Sequence, residues 1–87
     1  MSATHPKLAS RARLRWDERE KAHMIVYPER GLVLNATAAE IVKLCDGTRT
    51  EADIVMTLSS GANETRETIE RDVHALLERL RDKRVVE

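Results

Sequence analysis

The apolar pattern of this chain changes period once. In Arg11-Ala12-Arg13-Leu14-Arg15-Trp16, apolar and basic residues alternate, and a period of two puts the two sets on opposite faces of a strand. From residue 69 onward the apolar positions are Ile69, Val73, Leu76, Leu77 and Leu80, which is the 3.6-residue stripe of an amphipathic helix. Strands in one part of a chain and helices in another define an α+β fold. A chain of 87 residues has room for one core only. The sheet and the helices must therefore close on each other.

The first third holds three strands in this reading. Trp16 ends the alternating strand on its apolar side and is expected to point at the core, where its N–H needs a partner. Met24-Ile25-Val26-Tyr27 is a short β-prone run that stops at Pro28. Pro28-Glu29-Arg30-Gly31 has turn composition, since proline pre-sets φ and glycine accepts positive φ. Leu32-Val33-Leu34 then completes a hairpin. Residues 1–10 show no periodicity and are expected to form a flexible arm, with residues 11–87 as a single domain.

Three helices follow. Asn35 stands where it can cap the first, whose apolar face is Ala38, Ile41, Val42, Leu44 and Cys45. Asp46-Gly47 ends it, with the glycine in the left-handed position. Thr50-Glu51-Ala52-Asp53 has the form of a capping box, and the second helix presents Ile54, Val55 and Leu58 before stopping ahead of Gly61. The third starts near Thr65 and runs from Arg66 to about Arg84, a span of ~28 Å at 1.5 Å per residue. Val85-Val86 can fray or add a short strand. A helix pair joined by a tight glycine-containing turn, then a longer third helix, gives a winged helix-turn-helix-like order. The expected fold is a three-stranded antiparallel sheet followed by three helices.

Composition narrows the function. There is no apolar run of about 18 residues, so no spanning helix is expected, and the first residues lack the basic-then-apolar pattern of a signal peptide. The single cysteine, Cys45, cannot form an internal disulfide and suits a reducing cytoplasm. It lies on the stripe of the first helix and is expected to be a buried, inert thiol. The histidines His5, His23 and His74 are not at metal-ligand spacing from one another or from Cys45, and surface or rim positions are expected for them. Neither a nucleophile-elbow motif nor a phosphate-cradling glycine loop is present. Catalysis is the least favoured class.

Two binding readings remain. Fifteen basic residues balance fifteen acidic ones, and residues 66–87 carry six of each, which gives a DNA-recognition helix no field to work with. The balance hides an uneven distribution, basic over residues 1–23 and acidic over 24–65. The alternative is capture of an extended peptide by an open strand beside a helix. Leu34, Ile69, Leu76 and Leu80 are expected in the core, while Val33, Val73 and Leu77 are candidates for a groove.

Several segments together carry a family likeness. Pro6-Lys7-Leu8, Arg13-Leu14-Arg15-Trp16-Asp17, Pro28-Glu29-Arg30-Gly31, Leu34-Asn35-Ala36-Thr37-Ala38, Leu44-Cys45-Asp46-Gly47, and Asp72-Val73 followed by Leu76-Leu77 occur in this order. The chain resembles the PqqD family of pyrroloquinoline quinone biosynthesis over roughly residues 6–86. The resemblance implies a non-catalytic peptide chaperone, a recognition element without cofactor or metal. It implies that the precursor peptide PqqA is bound through its leader and presented to PqqE, a radical S-adenosylmethionine enzyme that links a Glu and a Tyr of the peptide. It places the leader as an added strand beside Leu32, Val33 and Leu34, against a helical wall of Val73, His74, Leu77 and Arg81. Arg11, Arg13 and Arg15 are the candidates for contact with PqqE. Neither nucleic acid nor membrane is an expected partner, and an open sheet edge invites a homodimer by strand exchange. The chain departs from the family pattern at Glu20, where an Arg is common, and at His23, where an aromatic is common. Binding of the quinone itself ranks second, because the sequence shows no aromatic cage or basic cluster for it. A winged-helix DNA-binding regulator ranks third.

Overall fold

The computed structural model describes residues 5–28, 30–60 and 64–87. Its elements are β1 (Arg13–Asp17), β2 (Ala22–Tyr27), β3 (Arg30–Val33), α1 (Ala36–Lys43), α2 (Glu51–Ser59) and α3 (Arg66–Asp82). The strands form one antiparallel sheet in the order β1-β2-β3. This is the expected winged-helix-like α+β architecture.

Cross-strand pairing sorts the sheet into two faces. Leu14 pairs with Ile25, and Ile25 with Leu32. This row faces the helices, with Ile25 fully buried and its partners packed against the core. The opposite face carries Arg13, Arg15, Val26 and Val33, all exposed to solvent. Gly31 belongs to that face and lies inside β3 rather than in a turn, because Tyr27 already pairs with Arg30. The positive φ expected there is absent; the glycine serves close approach instead. A Cβ at Gly31 would sit 2.6 Å from Met24 Cε, across the sheet.

The helices start and stop by side-chain chemistry. Asn35 Oδ1 accepts from Ala38 N–H at 2.7 Å and caps α1. Leu44, not a glycine, closes that helix, and Gly47, at φ 86°, takes the left-handed region three residues further on. At α2 both halves of the capping box form: Thr50 Oγ1 accepts from Asp53 N–H at 3.1 Å, and Asp53 Oδ2 accepts from Thr50 N–H at 3.1 Å. Thr65 caps α3 in the same way, accepting from Thr68 N–H at 3.2 Å. The second helix ends at Ser59, and the Gly61 stop signal lies outside the described residues. The core gathers Ile25 and Leu34 from the sheet side, Ile41 and Val42 from α1, Ile54 and Val55 from α2, and Ile69, Val73, Leu77 and Leu80 from α3.

Two further expectations change. The segment expected to be a loose arm is tied down from residue 6 onward, where Pro6 is fully buried. Its carbonyl accepts from Gly47 N–H, Leu8 N–H donates to Cys45 O, and Ala9 N–H donates to Val85 O. The arm is held because Val85 and Val86 are buried rather than frayed, and Leu8 bridges to Val86. Residues 1–4 lie outside the described part. Trp16 is not a core residue, being 51% exposed. It shares the inner face with Leu14 but sits at the end of the sheet, where its Nε1–H donates to Glu18 at 3.0 Å and its ring meets His23 edge-on at 5.1 Å.

Candidate functional site

The sheet has one edge that is open and poorly defended. β1 and β3 are both edge strands. An edge strand presents unpaired backbone groups to any passing chain, and charged side chains along it discourage pairing. β1 carries Arg13 and Arg15 in alternation. β3 is Arg-Gly-Leu-Val, with its one charge at the first residue. β3 is therefore the less charged of the two edges.

The hydrogen-bond phase of β3 identifies the free groups. Leu34 N–H donates to His23 O at 2.9 Å, so Leu34 and His23 are a bonded pair. Bonded and non-bonded pairs alternate along antiparallel strands. Leu32, opposite Ile25, therefore bonds inward to β2, while Val33, opposite Met24, turns its N–H and C=O out to the free edge. Gly31 has the same phase as Val33. The Val33 side chain, 50% exposed, points to the solvent face of the sheet. Leu32 is the strand residue that leans toward the helices, half-buried against the core.

Along α3 the structure shifts the expected wall around the helix. Val73 and Leu77 have 0% exposure and belong to the core. His74 belongs to the α2 side, where its Nδ1 lies 3.0 Å from Glu51 Oε2. Arg81 is on the same flank as His74 by helical spacing and lies 4.0 Å from Glu78. His74, Leu77 and Arg81 line neither hollow between α1 and α3, and Val73 lines one of them. Asp72, Ala75, Leu76 and Arg79 line a cleft with Asn35, two residues past β3, and with Thr37, Ala38 and Ile41 of α1. Leu76, expected in the core, is half-buried at this cleft. The miss has a simple origin. Five apolar residues give the stripe of α3 its breadth, and spacing alone does not tell its centre from its margin.

An apolar hollow of about 280 Å³ continues the cleft toward the start of α3. Ile41, Leu58, Ile69 and Val73 line it, with Thr37, Glu40, Glu64 and Asp72 at the polar positions. A third hollow, at the sheet end, is lined by Trp16, His23, Leu34, Asn35 and Ala39 among others. The His23 ring meets Trp16 edge-on in this hollow. Glu20 is exposed in the β1–β2 connection. Arg13 and Arg15 project from the solvent face of β1, making no ion pair among the described residues. Arg11 precedes that strand and lines a different hollow, beside Tyr27, Lys83 and Arg84.

Little in the site is reactive. Burial pushes the Cys45 thiol up to about 11, and Arg81 and Asp46 act on it only secondarily. Its Sγ–H donates to Ile41 O at 3.3 Å. Among the described residues no cluster of three His, Cys, Asp or Glu groups forms a metal site. No helix of the described residues is long and apolar enough to cross a membrane.

An antiparallel three-stranded sheet, three helices and an unguarded third strand beside a cleft on the third helix define a winged-helix-like domain of the recognition-element type. The comparisons make the family specific. Residues 22–86 match the family model for coenzyme PQQ synthesis protein D (PqqD). A PqqA binding protein of Rhodopseudomonas palustris is 41% identical over 80 residues, covering 92% of this chain and 78% of the relative. The chain belongs to the PqqD family. The solution structure of the PqqD portion of Methylobacterium extorquens PqqCD superimposes with a TM-score of 0.81 at 35% identity, over 94% of this chain and 87% of that one. That protein is described as a functional, stand-alone recognition element for ribosomally synthesized and post-translationally modified peptides. Lasso peptide synthetase B1, solved with its leader peptide, shares the fold with a TM-score of 0.81 at 22% identity, over 95% of this chain and 98% of that one.

Proposed function

We propose that this domain is a non-catalytic adaptor that binds the precursor peptide PqqA and presents it to the radical S-adenosylmethionine enzyme PqqE. The peptide adds as a fourth strand at β3. The observation that carries this reading is the phase of β3, in which Val33 and Gly31 hold their backbone groups out to an edge that has Arg30 as its one charge. Backbone pairing supplies affinity without regard to sequence, and side chains of alternate peptide residues reach the cleft of Leu76 and Ala75 for selectivity. The peptide-binding part of the reading is supported by the names of the curated relatives. The arginines of β1 stay clear of the peptide edge, on the far side of the sheet order, and are available to the enzyme.

Titrating labelled domain with PqqA peptide tests the reading. Amide signals of residues 31–35 and of Asp72, Leu76 and Arg79 are expected to move. Movement confined to residues 5–10, or to β1, refutes strand addition at β3.

A further inference from the structure

The cleft beside β3 is electrically polarised along its length. Tyr27 and Pro28, at the β2–β3 turn, share a hollow with Lys83 and Arg84 at the end of α3. Asn35 and Thr37, just past β3, share one with Asp72 and Ala75. α3 therefore runs antiparallel to β3, and the charges of its exposed flank follow one another from the α1 end to the turn end. At the α1 end stand Glu40, Glu64 and Asp72 around an apolar floor, with no basic residue lining that hollow. At the turn end stand Arg79 on the cleft and Arg30 on the strand, both exposed. Glu40 is 3.5 Å from Lys43. Glu64, Asp72, Arg79 and Arg30 make no ion pair among the described residues.

Backbone pairing alone accepts a strand in either direction and at several registers. Something else must fix direction, and a row of charges ordered from acid to base does so. We infer that the β3 cleft selects an extended peptide of matching polarity, with basic residues at the end beside Glu40, Glu64 and Asp72 and acidic residues at the end beside Arg79 and Arg30. Leu76 and Ala75 lie between and take an apolar side chain. A second copy of this chain is the poorer occupant, because its own free strand carries one charge, the Arg30 cation, and no acid in β3. This inference rests on the strand-addition reading and adds direction to it.

The test inverts the dipole of the wall and leaves net charge unchanged. Asp72 and Arg79 are exposed, so the double variant Asp72→Lys, Arg79→Glu is expected to fold, as circular dichroism will show. At low salt its affinity for PqqA peptide is expected to fall by about tenfold, and at 1 M salt, where the screening length is ~3 Å, the two proteins should converge. A nitroxide on the acidic end of the peptide should broaden amides of Arg30 and Arg79 in the parent domain. Equal low-salt affinity of a folded double variant, or a label that broadens Thr37 and Glu40 instead, overturns the inference while leaving strand addition standing. Failure of the parent domain to bind the peptide overturns both. Self-association that the inversion abolishes, with peptide binding unmoved, assigns the cleft to a second copy and also overturns it.

Discussion

Val33→Pro deletes one N–H and leaves the carbonyl. In β3 that N–H points away from β2, because the neighbouring Leu34 is the residue bonded to His23. The ladder within the domain therefore loses nothing, and the Val33 side chain is half exposed. Proline is tolerated on the outer side of edge strands, so the loss of folding stability should stay within about 1 kcal/mol. Peptide binding loses one backbone hydrogen bond, worth about 1 kcal/mol net, or roughly fivefold in Kd, and the ring adds bulk where the incoming strand must approach. Leu32→Pro is the paired control. Its N–H lies in the phase that bonds β2, so the same substitution one residue earlier should cost about 3 kcal/mol of stability or more. Urea unfolding and calorimetric titration with PqqA peptide measure both quantities. A folded Val33→Pro domain that binds as tightly as the parent refutes pairing at this edge. Equal destabilisation by the two prolines refutes the assigned phase.

Leu77→Ala, at a site with 0% exposure, should cost about 2–5 kcal/mol of stability and change peptide affinity only through the folded fraction. Leu76→Ala should do the reverse, and urea melts with parallel titrations will show whether the two roles are exchanged. Cys45 should resist aromatic disulfide reagents at pH 8 until the domain unfolds. Its pKa is raised to about 11 by burial, so the folded state favours the thiol. The associated stability is intact below the unfolded value near 9 and declines as pH rises toward 11, a decline that Cys45→Ala should flatten in thermal melts. At the other end of the scale, hydrogen bonds from the Thr50 N–H and then the Thr50 side chain hold the Asp53 carboxyl below its usual 3.8. That contribution is present above the unfolded pKa and is lost as pH falls through the folded one. Asp53→Asn should therefore lessen acid sensitivity, and an unchanged acid limb counts against the capping role.

The elements with local causes were legible in the sequence. Alternation, the Asn35 cap and the Thr50–Asp53 box each act within a few residues, and each is found in place. What failed depends on contacts distant in sequence. Trp16 has the parity of a core residue, but at the end of the sheet the start of α1 leaves a hollow beside it and half of its surface in solvent. The segment around Leu8 has no period of its own because it is held by Cys45 and Val85, far along the chain. Gly31 reads as a turn residue, yet it answers to Met24 on the next strand. The site shows the same division. The low charge of β3 is legible in its composition, whereas Asp72, Leu76 and Arg79 stand out as cleft residues only once packing fixes the rotation of α3.

The hydrogen bonds between Lys7 and Glu87 carry a consequence for architecture. Lys7 N–H reaches Glu87 O at 3.4 Å, and Glu87 N–H reaches Lys7 O at 2.7 Å, so the polypeptide enters and leaves the fold at one point. A body with a single stem can be hung from another chain by either end, or spliced into a loop, with its folded contacts intact. Evolution can then move the unit between free and tethered forms. Tethering would raise its local concentration at a partner enzyme without altering the cleft.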